Sequence, residues 1–198
     1  MNNNISEETI EAERIAKKLS RAGVCSRREA ERWISEGRVQ VNNLTIDTPA
    51  IKVSEKDEIL VDNIPIPKPS ITKIWRFHKP KGCLVTENDP KGRQTIFDIL
   101  PKSLPRVMAV GRLDYDSEGL LLLTNNGGTS RKLELPSTGW LRKYKVRVHG
   151  FVNPQDLEKL RNGIKLKDFK TGSIDANLEI QKGANAWVLI GIREGKNR

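Results

Sequence analysis

Two apolar segments separated by a charged turn, within residues 107–128, most constrain how this chain can fold. Residues 107–110 and 120–124 are short apolar runs bounded by turn-forming residues, which is typical of buried strands. The Asn-Asn-Gly-Gly sequence at 125–128 is a strong turn signal. Functional residues often lie on loops held by a rigid scaffold, so the turn between the two strands is the first candidate site. Its charged residues are Arg112, Asp114, Asp116 and Glu118.

The residues of this turn leave three interpretations open. Asp114, Asp116 and Glu118 match the first half of a calcium-binding EF-hand loop, although Asn125 stands where the bidentate Glu is needed. A solvated acidic turn is the plainest alternative. In the third interpretation one aspartate is a nucleophile or general base, kept ionised by Arg112, since a nearby opposite charge favours the ionised carboxylate.

The motif G-R-L-D-Y-D-S-E-G-L-L-L-L-T-N at residues 111–125 resembles the catalytic motif of RNA pseudouridine synthases of the RsuA/RluB type. The resemblance implies that Asp114 is the catalytic residue and that Arg112 pairs with it. It also implies the reaction: a uridine of ribosomal RNA, with a lean toward the large subunit, is isomerised without a cofactor or a metal. Asn126 departs from the family pattern, which usually has Asp at that position.

The distribution of charge is typical of a protein that binds the phosphate backbone of a nucleic acid. The formal net charge is +10. Residues 14–38 carry eight Lys/Arg against three Asp/Glu, and residues 129–149 carry six against one, so these two segments hold all of the excess charge. Two basic patches on a neutral body predict a nucleic-acid partner. A generally basic, soluble surface is the alternative.

The N-terminal part of the chain predicts two short basic helices followed by small hairpins. The first helix is expected over residues 14–22, and a Ser26-Arg27-Arg28-Glu29 capping box opens the second. The segment R-I-A-K-K-L-S-R-A-G-V-C-S-R-R-E-A-E-R-W-I-S-E-G-R-V-Q-V-N resembles the αL RNA-binding domain of ribosomal proteins. A protein-docking helix pair is the alternative. The resemblance predicts RNA contacts from Arg14, Lys17, Lys18, Arg21, Arg27, Arg28 and Arg32.

Three prolines in five residues, from Pro65 to Pro69, predict an extended, semi-rigid linker. The predicted organisation is a disordered tail (1–12), the αL domain (13–66), the linker (67–72) and a synthase domain (73–198). The expected fold class is α+β, with the αL domain followed by a mixed, mostly antiparallel sheet with flanking helices. Within the second domain the predicted strands are 73–78, 107–110, 120–124, 141–148, 164–169, 173–180 and 186–193, and the predicted helices are 96–100, 129–135 and 154–161.

Three further motifs in the second domain resemble those of the family. Lys79 and Lys81 lie in a K-P-x-G turn, where the residues alone indicate only surface lysines, and both are predicted to contact RNA. Tyr144 lies in an R-x-Y-x-V strand, so a role in packing the core is an equal alternative. The resemblance implies that Tyr144 stacks on the target base, as aromatic side chains commonly do with flipped bases. Lys196, in E-G-K-N-R, is implied to face the active site. Arg142 and Lys143, which precede Tyr144 in the strand, are predicted to bind RNA.

Composition limits the compartment and the partners. Cys25 and Cys83 have no paired or metal-binding spacing, so reduced, structural thiols in a cytoplasmic protein are expected. No run of about 18 apolar residues is present, which predicts no membrane span. A monomer that binds ribosomal RNA or a pre-ribosomal particle is expected.

The family continues past the position of Arg198, so the synthase domain is expected to be truncated at its C-terminus. The rival hypothesis is a non-enzymatic RNA-binding or ribosome-assembly factor with an inactive synthase domain. A basic protein-interaction module is the third hypothesis.

Overall fold

The computed structural model describes residues 12–166 and 169–193 and divides the chain into two compact units, residues 1–130 and 131–198. The first unit begins with the two basic helices. A short strand, β1 (Glu13–Arg14), leads into α1 (Ile15–Arg21), and α2 (Arg27–Ser35) follows. As predicted, Ser26 caps α2, because its Oγ accepts a hydrogen bond from the backbone N–H of Glu29 at 3.1 Å.

Four short strands complete this part of the first unit in an antiparallel sheet of order β3-β2-β5-β6. Their bounds are β2 (Val39–Val41), β3 (Leu44–Thr45), β5 (Ile59–Val61) and β6 (Ile64–Pro65). The predicted hairpins are confirmed; they turn at Asn42-Asn43 and Asp62-Asn63, and all four residues have positive φ. Asn and Asp tolerate this conformation, which fits two-residue hairpins to the twist of their strands. One pairing was not predicted: β4 (Lys52–Val53) pairs with β1.

The apolar spacing of the two helices explains the core of this part. Ile15 and Leu19 on α1, and Ala30 and Ile34 on α2, are spaced by four residues, which places each pair on one helix face. All four side chains are fully buried. They pack in one cluster with Val39 and other apolar residues of the small sheet.

The second part of the first unit is a three-stranded antiparallel sheet with β9 in its centre. β7 (Ile74–Lys79) and β8 (Met108–Val110) both pair with β9 (Gly119–Thr124). The predicted strands are therefore confirmed, with β8 and β9 flanking the charged turn. The short helix α3 (Ile96–Ile99) lies between β7 and β8 in the sequence. It begins after Thr95, whose N–H and hydroxyl both donate to the Asp98 carboxylate, and these bonds lower the pKa of Asp98.

Two asparagines at the end of β9 bind the end of the predicted linker. Asn125 accepts a hydrogen bond from the Lys73 N–H at 2.8 Å and donates to the Ser70 hydroxyl and the Ile71 carbonyl, each at 2.9 Å. Asn126 donates to the Thr72 hydroxyl at 2.8 Å, a bond that an ionised Asp has no proton to make. Its Oδ1 accepts the Gly128 N–H at the start of α4 (Gly127–Glu134).

The second unit contains a three-stranded antiparallel sheet of order β10-β12-β11 and one helix. Its elements are a 3-10 turn (Pro136–Thr138), β10 (Arg142–His149), α5 (Pro154–Arg161), β11 (Asp175–Lys182) and β12 (Asn185–Ile192). Leu157 of α5 packs on Ala176 and Val188 of the sheet. The prediction of a strand at 164–169 is wrong. The residues of this segment that the structure describes form no strand, and only a single bridge joins Lys165 to Lys170.

The α+β fold class with mostly antiparallel sheets is confirmed. The boundaries predicted for the αL domain, the linker and the synthase domain stay predictions. No helix within residues 12–166 and 169–193 is long and apolar enough to cross a membrane.

Both cysteines are buried free thiols, and burial raises the pKa of the Cys25 thiol to about 11. Because the thiolate is the reactive form, we expect iodoacetamide to alkylate Cys25 of the folded protein very slowly at pH 8 and faster only above about pH 10. Since the pKa is higher in the folded state, the stability linked to this group is present below the unfolded pKa of about 8.5 and is lost as pH rises toward 11. Mass spectrometry of tryptic peptides measures the alkylation, and complete labelling within minutes at pH 8 without denaturant would contradict the expectation.

Candidate active site

The charged turn between β8 and β9 presents its carboxylates to solvent. Leu113 is half-buried and packs on the apolar core of this sheet, while Arg112 and Asp114 on either side of it are exposed. The Ser117 N–H donates to the Asp114 carbonyl at 3.1 Å and closes the turn. The Asp114 carboxylate makes no hydrogen bond or ion pair with any described residue, so the pairing with Arg112 is not formed in this structure. Within the described residues, the carboxylate is exposed and unpaired.

The turn rests on the buried ammonium of Lys79, the last residue of β7. The Lys79 side chain is 0% exposed. Its Nζ donates to the backbone carbonyls of Pro80 and Asp114 at 3.0 Å, of Ser117 at 2.9 Å and, more weakly, of Tyr115 at 3.4 Å. Three N–H groups therefore serve four carbonyl oxygens, and three of these oxygens belong to the turn that carries Asp114. Lys79 therefore fixes the backbone of the turn that carries Asp114.

This arrangement corrects the prediction that Lys79 is a surface lysine that contacts RNA. Its ammonium is buried against carbonyls that lie more than thirty residues away in the sequence, and local sequence patterns carry no signal for such a contact. Lys81 does lie at the surface, with its Nζ 3.8 Å from a Glu118 carboxylate oxygen. Gly82 binds the turn as well: its N–H donates to the Tyr115 carbonyl at 2.9 Å, and its φ of +79° favours glycine.

The calcium interpretation of the turn is wrong. Gly119–Thr124 is a strand paired on both sides, so these residues do not form the second half of a metal-binding loop. Among the residues that the structure describes, no three His, Cys, Asp or Glu side chains are grouped so as to hold a metal ion.

Some cations of the N-terminal helices form ion pairs with carboxylates, and others are exposed without one among the described residues. Lys18 is 5% exposed, and its Nζ is 2.7 Å from the Glu55 carboxylate. Arg21 binds Glu13 at 2.8 Å and also binds Glu55, and these two cations lower the pKa of Glu55. The prediction that Lys18 contacts RNA is therefore corrected, because its charge is buried and paired. Two other predicted cations are paired at the surface, Lys17 with Glu13 and Arg32 with Glu29.

Arg27 and Arg28 are the cations of α2 most available to a phosphate. Both are exposed, lie in the first turn of the helix and form no ion pair within the described residues. Free N–H groups at a helix N-terminus also favour anions. Arg14 is exposed too, at the end of β1.

We expect the Arg27→Gln/Arg28→Gln double variant to bind RNA more weakly and with less dependence on salt. Each cation that contacts a phosphate contributes about 0.7 to 0.9 to the slope of log K against log salt, so the slope is expected to fall by about 1.4 to 1.8. Filter binding of a ribosomal RNA transcript over a salt series measures this slope. Lys52→Gln/Lys56→Gln removes the same charge from exposed positions outside the helices and is the matched control. Equal slopes for the two double variants would contradict the assignment.

The remaining predicted residues lie in the second unit. Tyr144 is half-buried on β10 and pairs with Ile190 of β12. Arg142 is half-buried and donates to the carbonyls of Arg193 at 3.2 Å and Leu133 at 3.5 Å, whereas Lys143 is exposed. Lys196 lies outside the described residues.

Comparison with known proteins assigns this arrangement, a basic helix pair followed by an antiparallel sheet with an exposed aspartate on a turn, to a class of RNA-modifying enzyme. The family model described as RNA pseudouridylate synthase matches residues 73–198, and the S4 domain model matches residues 13–59. The chain belongs to the RNA pseudouridylate synthase family and is an isomerase that acts on RNA. The predicted resemblance is thus confirmed.

Individual relatives are similar over most of this chain. A Rickettsia felis protein named uncharacterized RNA pseudouridine synthase is 42% identical over 195 residues, which cover 94% of this chain and 80% of the relative. Ribosomal large subunit pseudouridine synthase B of Bacillus subtilis is 36% identical over 94% of this chain and 77% of its own length. The enzyme of the same name from Pseudomonas aeruginosa is 39% identical, and the match covers 50% of it. A crystal structure of a pseudouridylate synthase superimposes with a TM-score of 0.59 at 26% identity, covering 93% of this chain and 78% of the other.

Proposed function

We propose that this enzyme converts a uridine of large-subunit ribosomal RNA into pseudouridine, with Asp114 as the catalytic carboxylate. The observation that carries the proposal is the exposed Asp114 on a turn fixed by the buried Lys79 ammonium. The substrate is supported by the relatives from Bacillus subtilis and Pseudomonas aeruginosa, whose names specify the large ribosomal subunit.

The chemistry asks little of the protein beyond a carboxylate and a means of holding the nucleotide. The glycosidic bond moves from a ring nitrogen to a ring carbon, so that carbon loses its hydrogen and the nitrogen gains one. No electron and no outside group is transferred, and no cofactor is proposed. Asp114 attacks the base or the sugar carbon, or removes a sugar proton, and the proposal covers each of these roles.

Three other residues complete the proposal. Arg112, two residues before Asp114 on the same turn, orients the carboxylate in the complex with RNA, through a contact that is not formed in this structure. Tyr144 stacks on the target base, and Lys196 pairs with acidic groups near it. Flipping the uridine out of its stack costs a few kcal/mol, which contacts between basic residues and phosphates offset. Arg14, Arg27, Arg28, Lys81 and Lys143 are exposed cations suited to those contacts.

We also propose that the enzyme acts as a monomer in the cytoplasm, on free ribosomal RNA or on a pre-ribosomal particle. Light scattering of the purified protein, alone and with RNA, measures the number of copies. A dimer in both conditions would contradict the proposed stoichiometry.

The test of function is pseudouridine mapping of ribosomal RNA from cells that lack the gene. The deletion strain is then complemented with this 198-residue chain and with its Asp114→Asn variant. We expect one large-subunit pseudouridine to disappear and to return only with the unmutated chain. If the deletion removes no pseudouridine, the proposed substrate is wrong, and a role as an RNA-binding assembly factor becomes the better account.

A further inference from the structure

A second charged turn, residues 89–93, lies between β7 and α3. The Gly92 N–H donates to the Asp89 carbonyl at 3.0 Å and closes it. The Asp89 carboxylate accepts three hydrogen bonds from Arg93: from its backbone N–H at 3.0 Å, from Nε at 3.1 Å and from Nη2 at 2.8 Å. The Asp89 side chain is 7% exposed, whereas that of Arg93 is 50% exposed. One edge of the guanidinium is thus fixed to the protein and the other faces solvent.

The bonds from Arg93 lower the pKa of the Asp89 carboxyl to about 2, so this carboxylate remains charged at neutral pH and holds the arginine in one orientation. An arginine side chain normally loses considerable rotamer entropy when it binds a ligand. Here much of that entropy is already lost in the free protein, which favours binding. The Nη1 group of Arg93 has no hydrogen-bond partner among the residues that the structure describes. Nη1 and the second proton of Nη2 are therefore available to a ligand.

Backbone hydrogen bonds connect the 89–93 turn to the turn that carries Asp114. The residues that follow this turn pair with Leu84. The Leu84 N–H donates to the Gln94 carbonyl at 2.9 Å, and the Leu84 carbonyl accepts the Ile96 N–H at 2.8 Å. Two residues before Leu84, Gly82 binds the Tyr115 carbonyl. Tyr115 is 43% exposed. Residues 89–93 therefore flank the segment 82–84 that is hydrogen-bonded to the turn carrying Asp114, and they form one rim of the candidate site.

Building on the function proposed above, we propose that Arg93 binds a backbone phosphate of the RNA strand beside the target uridine and so positions that nucleotide over Asp114. Two N–H groups on one edge of a guanidinium match two oxygens of a phosphate, a geometry that a lysine does not offer. Lys91, exposed in the same turn, adds positive charge to this rim. Residues 89–93 therefore form a phosphate clamp for the strand that enters the active site.

The test is a comparison of KM with kcat on large-subunit ribosomal RNA transcribed with 5-tritiated uridine, since tritium leaves the ring carbon as the new bond forms. We expect Arg93→Gln to raise KM about tenfold with kcat changed less than about threefold, and to reduce the slope of log K against log salt by about 0.7 in filter binding. Arg93→Lys keeps the charge but loses the two-pronged contact, so an intermediate KM is expected.

Two controls separate phosphate binding from structural damage. Asp89→Asn/Arg93→Gln leaves no unpaired buried carboxylate and is expected to raise KM as much as Arg93→Gln alone. Lys159→Gln removes one exposed charge from α5 and is expected to behave as the unmutated chain. An unchanged KM and salt slope for Arg93→Gln, or equal changes for Lys159→Gln, would overturn the proposal. If the unmutated chain releases no tritium, the proposed function fails for this RNA, and the salt slopes of the same variants still decide whether Arg93 binds phosphate.

Discussion

Asp114→Asn is expected to lower kcat for pseudouridine formation at least about a thousandfold, which corresponds to roughly 4 kcal/mol of lost transition-state stabilisation. An amide is neither a nucleophile nor a base at neutral pH, so each role proposed for the carboxylate is lost. The fold should persist, because the Asp114 side chain is exposed and bonds to no described residue. Tritium release from a 5-tritiated transcript measures the rate, and thermal unfolding measures the stability.

Asp116→Asn is the matched control, since Asp116 is exposed on the same turn and carries the same charge. Local chemistry alone does not distinguish the two aspartates, and Asp114 is chosen because the family motif places the catalytic residue there. We expect Asp116→Asn to keep kcat within about tenfold of the unmutated enzyme, well above the loss expected at Asp114. The assignment fails if Asp116→Asn is inactive while Asp114→Asn retains its rate.

Lys79→Met is expected to reduce both stability and activity. Removing the ammonium leaves the turn carbonyls of Asp114 and Ser117 without their donor, and an unsatisfied buried polar group costs about 1 to 3 kcal/mol. A total loss of roughly 3 kcal/mol corresponds to a fall in Tm of about 6 to 12 °C for a chain of this size. The turn would also lose its fixed position, and small misplacements of a catalytic group lower kcat by about a hundredfold.

Lys81→Met tests whether any lysine in this segment has the same effect on stability. Lys81 is exposed, and its only ion pair within the described residues is the long one to Glu118. We therefore expect the Tm of the Lys81→Met protein to differ from that of the unmutated protein by less than about 2 °C. Circular dichroism melts of the two variants, run side by side, decide the matter. Equal Tm values for Lys79→Met and the unmutated chain would show that the four carbonyls do not depend on this ammonium.

Local sequence patterns determined most of the secondary structure and the candidate catalytic turn. Ile15 and Leu19 at helical spacing, the Ser26 cap and the run at 120–124 act through neighbours in the sequence, so they are readable before folding. The motif around Asp114 is likewise readable from the sequence, because the turn and its flanking strands are contiguous in the chain. The family comparisons confirmed the enzyme class that this motif implied.

Only the tertiary structure decided what the cations do. Lys79 and Lys18 resemble their surface neighbours in sequence. Yet Lys79 supports the turn that carries Asp114, 35 residues away, and Lys18 pairs with Glu55, 37 residues away. Burial of an ammonium depends on which carbonyls and carboxylates the folded chain brings to it, and no local periodicity encodes that. The sequence by itself therefore identified the fold class and the family, and it singled out Asp114 as the aspartate to test. Which positive charges stabilise the protein and which remain free to meet RNA was determined by long-range packing.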